Sequence, residues 1–378
     1  MIFRFSLVAD HPIPHTLIAH VRRLLARAAS NLRERPVRAH DLDAYTWCGE
    51  LVGSAQIDRA YPSDIMPDLT ELTRPAQSSN SHSSTDLSAP HFPSMAPPAA
   101  RSCVCDNSTA IHSFDPDALT DESIAPANSC SPSSATDLYV QLRALSQCAN
   151  VNCAWLSGEL AQYGPRAIIT DVDATFITTE VIEMLAQHAG SYELVQDITR
   201  QAMSGEMDFR QSLNARVATL SGLPRQVFDD ILHDIRPTSG ADQLVHAVHQ
   251  RDGYFGLVSG GFDEIVGPLA QRFQIDAFLA NHLEIHQGKL TGRVTGPVVD
   301  AEAKVAALLR WCSHWGIRPE QVVCVGDGAN DLPMMAAAGA GIAFCGKPLV
   351  TRYADAAVNI PRLDAVAALL GWDLSDDD

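Results

Sequence analysis

Lysine is almost missing from this chain: Lys289, Lys304 and Lys347 are the three present in 378 residues. Basic residues number 27 against 45 acidic ones, a formal net charge of −18. The broad basic surface that nucleic-acid backbones and anionic head groups require is therefore absent, which argues against a nucleic-acid or membrane-surface binder. A small anionic ligand stays open, because a few local cations or a metal ion can outweigh the global field. No CxxC pair occurs among the nine cysteines. The closest spacing, Cys103-Val104-Cys105, lies in a segment with no other plausible ligand cluster, so reduced thiols in a cytoplasmic protein are expected. No apolar run approaches the roughly 18 residues of a membrane span. The opening stretch breaks its short apolar run at Asp10 and makes a poor secretory signal.

What is present is an ordinary globular mixture, 46% hydrophobic and 19% charged, in a chain long enough for roughly two to three domains. Residues 1–73 are predicted to be a small α/β unit: residues 2–8 alternate as a strand does, and 17–29 carry apolar residues at helical spacing. Residues 74–136 are dominated by Ser, Pro and Ala without period, and are expected to be a disordered insertion, with an interaction tail as the alternative. Residues 137–165 resume with a helix at 138–147 and a strand at 151–156, the remainder of the interrupted N-terminal domain. Ligand sensing, dimerisation into a homodimer and a purely structural role all remain open for that domain. An acidic tail occupies 373–378.

From 166 to 372 the pattern is regular. Short apolar runs at 167–170, 255–259, 277–281, 321–326, 341–344 and 357–360 alternate with helical segments, which predicts a parallel sheet covered on both faces. Residues 178–235 read as helix with breaks near Gly190, Gly205 and Pro224. That is too long for a crossover, so they are expected to form a helical cap. Residues 283–294, turning at Gly288, read as a hairpin.

Three strand ends carry the chemistry, and in open α/β sheets ligands collect at such ends. The first is Asp171-Val172-Asp173-Ala174-Thr175. Residues two apart on extended chain share a side, so Asp171 and Asp173 would face one pocket; a solvated strand end is the plain alternative. The second, Ser259-Gly260-Gly261, reads as a phosphate cradle at a helix start or as a tight turn with a capping serine. The third, Gly326-Asp327-Gly328-Ala329-Asn330-Asp331, offers oxygen ligands suited to a hard cation, or is merely an acidic turn. Lys304 stands between the second and third. Four carboxylates (Asp171, Asp173, Asp327, Asp331) against the one ammonium of Lys304 would raise one another's pKa values, a conflict that a divalent metal removes. A carboxylate nucleophile, a metal and a phosphate cradle fit phosphoryl transfer through an aspartyl phosphate.

These segments resemble the four motifs of the haloacid dehalogenase-like hydrolases. The combination with Thr179-Glu180, Ala202-Met203-Ser204-Gly205, Asp208-Phe209, Ser212-Leu213, Ala215-Arg216-Val217, Asn281, the Gly288–Gly292 turn and Ala343-Phe344-Cys345 resembles their phosphoserine phosphatase family. The resemblance covers 166 to the end. It implies an α/β, Rossmann-like core with a parallel sheet and helical cap, and some relatives carry an ACT-like N-terminal domain. It implies Asp171 as nucleophile and Asp173 as acid and base. It also implies Mg2+ on Asp171, the Asp173 main-chain carbonyl and Asp327, with Asp331 outside them. Ser259, Gly260, Lys304 and Asn330 would meet the phosphoryl group, and Thr175 would brace the nucleophile loop. Glu180 and Arg216 would take the ammonium and carboxylate of O-phosphoserine, the expected small-molecule substrate, with Met203 and Phe209 closing over it. Another small-molecule phosphatase, a phosphotransferase to an alcohol such as homoserine, and a receiver-like signalling module are the alternatives.

Overall fold

Strand β1 (Ile2–Ala9) buries both of its faces, and that alternation organises the N-terminal unit. The structure is a computed structural model describing residues 2–28, 33–35, 45–52, 135–372 and 374. Helix α1 (His15–Ala28), strands β2 (Arg33–Arg35) and β3 (Tyr45–Val52), helix α2 (Ala135–Cys148) and strand β4 (Asn152–Ser157) complete the unit. Its four strands run in the order β2-β3-β1-β4, with every pairing antiparallel. The βαββαβ order with β1 and β3 inside is the ferredoxin-like arrangement. Because side chains alternate along a strand, Phe3, Phe5 and Leu7 meet Leu17, Val21 and Leu25 of α1 and Leu138 and Leu142 of α2. Val8, Ala154 and Leu156 point the other way and join the core of the larger sheet. On that same side the buried Arg4 guanidinium donates to the Leu370 carbonyl at 3.0 Å. The chain before and after residues 53–134 thus contributes to one sheet. The serine- and proline-rich stretch lies outside the described residues up to residue 134, as does the acidic tail apart from Leu374.

A short helix α3 (Gly158–Tyr163) leads to β5 (Ala167–Thr170), whose four residues are all buried as befits a central parallel strand. Four helices follow, α4 (Val181–Ala189), α5 (Tyr192–Met203), α6 (Phe209–Ala218) and α7 (Val227–Asp234). They occupy the predicted cap, and the predicted breaks fall between them: Gly190 closes α4 in a left-handed conformation, with φ +68°. Asp208 and Gln211 form a reciprocal capping box at the start of α6.

The sheet then builds through α8 (Ala241–His249), β6 (Tyr254–Phe262), α9 (Asp263–Arg272), β7 (Ala277–His286), β8 (Lys289–Thr295), α10 (Ala301–Trp315), β9 (Val322–Gly326), α11 (Leu332–Ala337), β10 (Ala340–Phe344), α12 (Pro348–Tyr353), β11 (Ala356–Val358) and α13 (Asp364–Leu369). Its order is β11-β10-β9-β5-β6-β7-β8, parallel except for the edge strand β8. β5 lies between β6 and β9, so the chain leaves the centre in both directions and a crevice opens at the carboxyl ends of these three strands. No helix among the described residues is long and apolar enough to cross a membrane.

One local expectation is corrected. Ser259-Gly260-Gly261 is not the start of a helix: β6 runs on to Phe262, and α9 begins only at Asp263. The pairing with β7 slips between Val258 and Phe262, and this irregularity lifts the serine and glycines out of the regular ladder toward the crevice.

Candidate active site

The end of β5 turns sharply. Residues Val172–Phe176 form a wide helical turn in which Ala174 is left-handed, with φ +52°, while Val172 is buried in the core. The turn presents Asp171 and Asp173 to the same crevice. The Asp171 N–H donates to the Val325 carbonyl at 2.9 Å, tying the nucleophile candidate to β9. Asp173 is fixed at both oxygens. Oδ1 accepts from the Val181 N–H at 2.8 Å, at the start of the cap, and Oδ2 accepts from the Ser259 hydroxyl at 3.1 Å.

The phosphate-cradle candidate is equally constrained. Ser259 Oγ accepts from the Gly261 N–H at 2.7 Å, and Asn281 Nδ2 donates to the Gly260 carbonyl at 2.8 Å. Asn281 Oδ1 in turn accepts from the Val299 N–H at 2.8 Å, so one buried carboxamide holds the loop from β7. Residue 261 must be glycine, since a Cβ there would sit 2.6 Å from Asp173 Oδ2. The Phe209 ring lies over Gly260, 3.0 Å from where its Cβ would be.

Lys304, near the start of α10, is fully buried and makes two ion pairs. Its Nζ donates to Asp171 Oδ1 at 2.8 Å and to Asp331 Oδ1 at 2.7 Å. Burial works against its ammonium, but Asp171 and Asp331 outweigh that and hold its pKa above the usual lysine range. The other Asp331 oxygen accepts from the Gly328 N–H at 3.0 Å, so Asp331 has both oxygens engaged. Asp327 is paired only loosely, with Lys347 Nζ 3.5 Å from its Oδ2.

Side-chain oxygens of Asp171, Asp327 and Asp331 all lie within 4.8 Å of one another. Burial, with Asp331 adding to it, pushes Asp171 well above the ordinary carboxylate pKa despite Lys304. Burial also raises Asp173, against the hydrogen bonds from Val181 and Ser259, and raises Asp327, against Lys347. Four carboxylates around one buried ammonium are a charge deficit. An all-oxygen donor set of this kind fits a hard divalent cation, which would restore the ionised forms.

The cap brings two further charges to the crevice. Burial, and then Asp173 and Asp327, push Glu180 up to about 7. Arg216 is lowered by burial and supported electrostatically by Glu180 and Asp173. Its Nε donates to the Ser212 carbonyl at 3.3 Å one turn back along α6.

Comparison with known proteins agrees with this geometry. The haloacid dehalogenase-like hydrolase family matches residues 168–336. A phosphoserine phosphatase of Streptococcus thermophilus is 47% identical over 203 residues, 54% of this chain and 94% of its own. The chain belongs to the phosphoserine phosphatase family of the haloacid dehalogenase-like hydrolases. A phosphoserine phosphatase of Mycobacterium tuberculosis is 44% identical over 240 residues, 64% of this chain, and the chain spans only 59% of that protein's length. A solved phosphoserine phosphatase, described as a phospho-aspartyl intermediate analogue, superposes with a TM-score of 0.51 at 38% identity. That match covers 53% of this chain and 97% of the other.

Within the phosphoserine phosphatase family frame, most of the expected residues converge. Asp171, Asp173, Ser259, Gly260, Lys304, Asp327 and Asp331 share the crevice, with Glu180, Phe209 and Arg216 reaching it from the cap. Asn330 lies half-buried in the same turn as Asp327 and Asp331. Thr175 is fully buried beneath the turn, where its carbonyl accepts from the Thr238 hydroxyl at 2.7 Å. Met203 ends α5 and is 70% exposed, at the start of a largely exposed connection to α6. Two residues to which no role was given in the sequence hold the site's parts: Asn281, on the loop, and Lys347, beside Asp327. The scarcity of lysine was the available signal for Lys347. For Asn281 there was none beyond its place in the motif match.

Proposed function

We propose that this chain hydrolyses O-phosphoserine to serine and phosphate with Mg2+, through a phosphorylated Asp171, as the last step of serine biosynthesis. Residues 166–372 are the phosphatase domain in this reading, and the ferredoxin-like unit is an ACT-like attachment. The observation that carries it is Lys304, buried and bonded to both Asp171 and Asp331 at the closed end of the carboxylate cluster.

The chemistry follows from what each side chain can do. One Asp171 oxygen attacks phosphorus in line while Lys304, the Ser259 hydroxyl and the Gly260 N–H take up charge on the phosphoryl oxygens. As the ester P–O bond breaks, Asp173 gives its proton to the departing serine oxygen; its raised pKa suits it to hold that proton beforehand. Water then attacks the acyl phosphate and Asp173 takes its proton. The bond from phosphorus to Asp171 breaks, releasing phosphate and the free carboxylate. Glu180 pairs with the substrate ammonium and Arg216 with its carboxylate, for which a planar guanidinium is well shaped. Phe209, over Gly260, keeps bulk water from the phosphoryl group. Asp171, Asp327 and the Asp173 main-chain carbonyl would hold Mg2+, with Asp331 behind them. When bound, the ion neutralises the cluster and offsets the charge of the phosphoryl group.

Chelation of the purified protein is expected to abolish phosphate release from O-phosphoserine, with Mg2+ restoring it. Activity that survives chelation would contradict the metal assignment. Replacing Arg216 with Ala is expected to raise KM for O-phosphoserine about 10- to 100-fold, the worth of a charge-assisted hydrogen bond. KM for phosphoethanolamine, which lacks the carboxylate, should change less than about threefold. Equal losses on the two substrates would remove Arg216 from substrate recognition.

A further inference from the structure

Lys347 is the one lysine that the mechanism above does not use and that still meets the cluster. Its side chain is 53% exposed, and its ammonium stands 3.5 Å from Asp327 Oδ2. Its own N–H donates to the Asp327 carbonyl at 3.1 Å, so main chain and side chain both engage the same residue. Lys347 is also the residue from which α12 starts, and α12 is held from the opposite side by the N-terminal unit. Arg143 of α2 donates to the carbonyl of Thr351 and, at 3.0 Å, to that of Ala354. The hydroxyl of Tyr139 donates to the carbonyl of Asp355.

The links between these two ends are continuous. Thr351, whose carbonyl Arg143 grips, donates its N–H to the Lys347 carbonyl at 3.0 Å and its hydroxyl to the Gly346 carbonyl at 3.1 Å. A helix of six residues spans only about 9 Å, too short to absorb much displacement at one end without passing it to the other. Arg143 and Tyr139 therefore fix the main chain from which Lys347 reaches Asp327.

We infer that Lys347 is a resident counter-cation of Asp327 that a divalent metal must displace, and that Arg143 and Tyr139 keep it in place through α12. The small N-terminal unit thereby sets the metal affinity of the distant carboxylate cluster. A metal ion and an ammonium cannot share one Asp327 oxygen at this range without repulsion, so an ammonium held close weakens metal binding. Because Lys347 is half in water, the effect is modest, about two- to fivefold in a dissociation constant. Arg143, Tyr139 and Lys347 are positioning residues in this scheme and touch no reacting atom. The inference rests on the proposed reading of Asp327 as a metal ligand.

Titration calorimetry with Mg2+ alone on the metal-free full chain tests it without turnover. Lys347→Met should tighten Mg2+ binding about two- to fivefold. Arg143→Met, and the milder Tyr139→Phe, which removes only a hydroxyl, should tighten it in the same direction by up to about twofold. Neither should change it further in the Lys347→Met background, because a shared route makes the effects non-additive. Unchanged or weaker binding in Lys347→Met overturns the inference. So does an Arg143 or Tyr139 effect that is absent, or that persists undiminished without Lys347. A wild-type chain that binds no Mg2+ overturns the metal reading and this inference together, whereas normal binding that ignores the substitutions overturns this inference alone.

Discussion

Asp171→Asn is expected to lower kcat on O-phosphoserine on the order of 10,000-fold or more, as loss of a covalent nucleophile does elsewhere. A carboxamide keeps the shape of the side chain and can still accept from Lys304, so the lost activity should not reflect lost structure. The electrostatics of the cluster make a second, opposite expectation. Burial and Asp331 disfavour the ionised form of Asp171 in the metal-free protein, and asparagine resembles the neutral form. The metal-free variant should therefore melt no lower than the wild type, because the catalytic cluster holds charge at a cost to stability. Steady-state kinetics beside thermal unfolding in chelator separates the two effects. Turnover within tenfold of the wild type would remove Asp171 as nucleophile. A large drop in melting temperature would instead mean that the asparagine disturbs the turn.

Lys304→Met should be the most damaging change to the fold among the site residues. Its ammonium is the buried partner of both Asp171 and Asp331, and methionine leaves two buried carboxylates facing each other without it. Breaking a buried pair by removing one partner costs about 3–5 kcal/mol. Catalysis should fall as well, on the order of 100- to 1000-fold, because in the proposed mechanism Lys304 donates to the phosphoryl oxygens. Added Mg2+ should recover part of the stability by supplying positive charge to the same carboxylates, but not the activity. Unfolding curves with and without Mg2+ measure this. A variant as stable as the wild type in chelator would show that the carboxylates protonate freely and that Lys304 does not hold the cluster together.

The parts of the site that could be read from the sequence are those fixed by local chain. β5, β6 and β9 announce themselves as continuous apolar runs ending in Asp or Ser and Gly, and both faces of such strands are buried here. Asp171 and Asp173 share a crevice as their spacing suggests, although a wide turn with a left-handed Ala174, rather than simple extension, brings this about. Lys304 stood out because lysine is so scarce. The helical start expected at Ser259 failed for a tertiary reason: Asn281, more than twenty residues on, holds the Gly260 carbonyl and prolongs the strand. Strands β2 and β3 and helix α8 had no distinctive local signal. β3 exists as a partner of β1 and β2 as a partner of β3, and α8 as cover for the sheet. The electrostatic coupling of Glu180 and Arg216 to Asp173 belongs to the folded cap and cannot be seen in spacing.

Trapping the phosphorylated chain tests the central claim most directly. The protein would be mixed with O-phosphoserine and Mg2+, quenched in acid during turnover and treated with borohydride, which reduces an acyl phosphate to an alcohol and leaves free carboxylates intact. Peptide mass spectrometry is then expected to find residue 171 alone in the reduced form, and only when substrate was present. Continuing phosphate release with residue 171 unreduced, or reduction at a different carboxylate, would contradict the account.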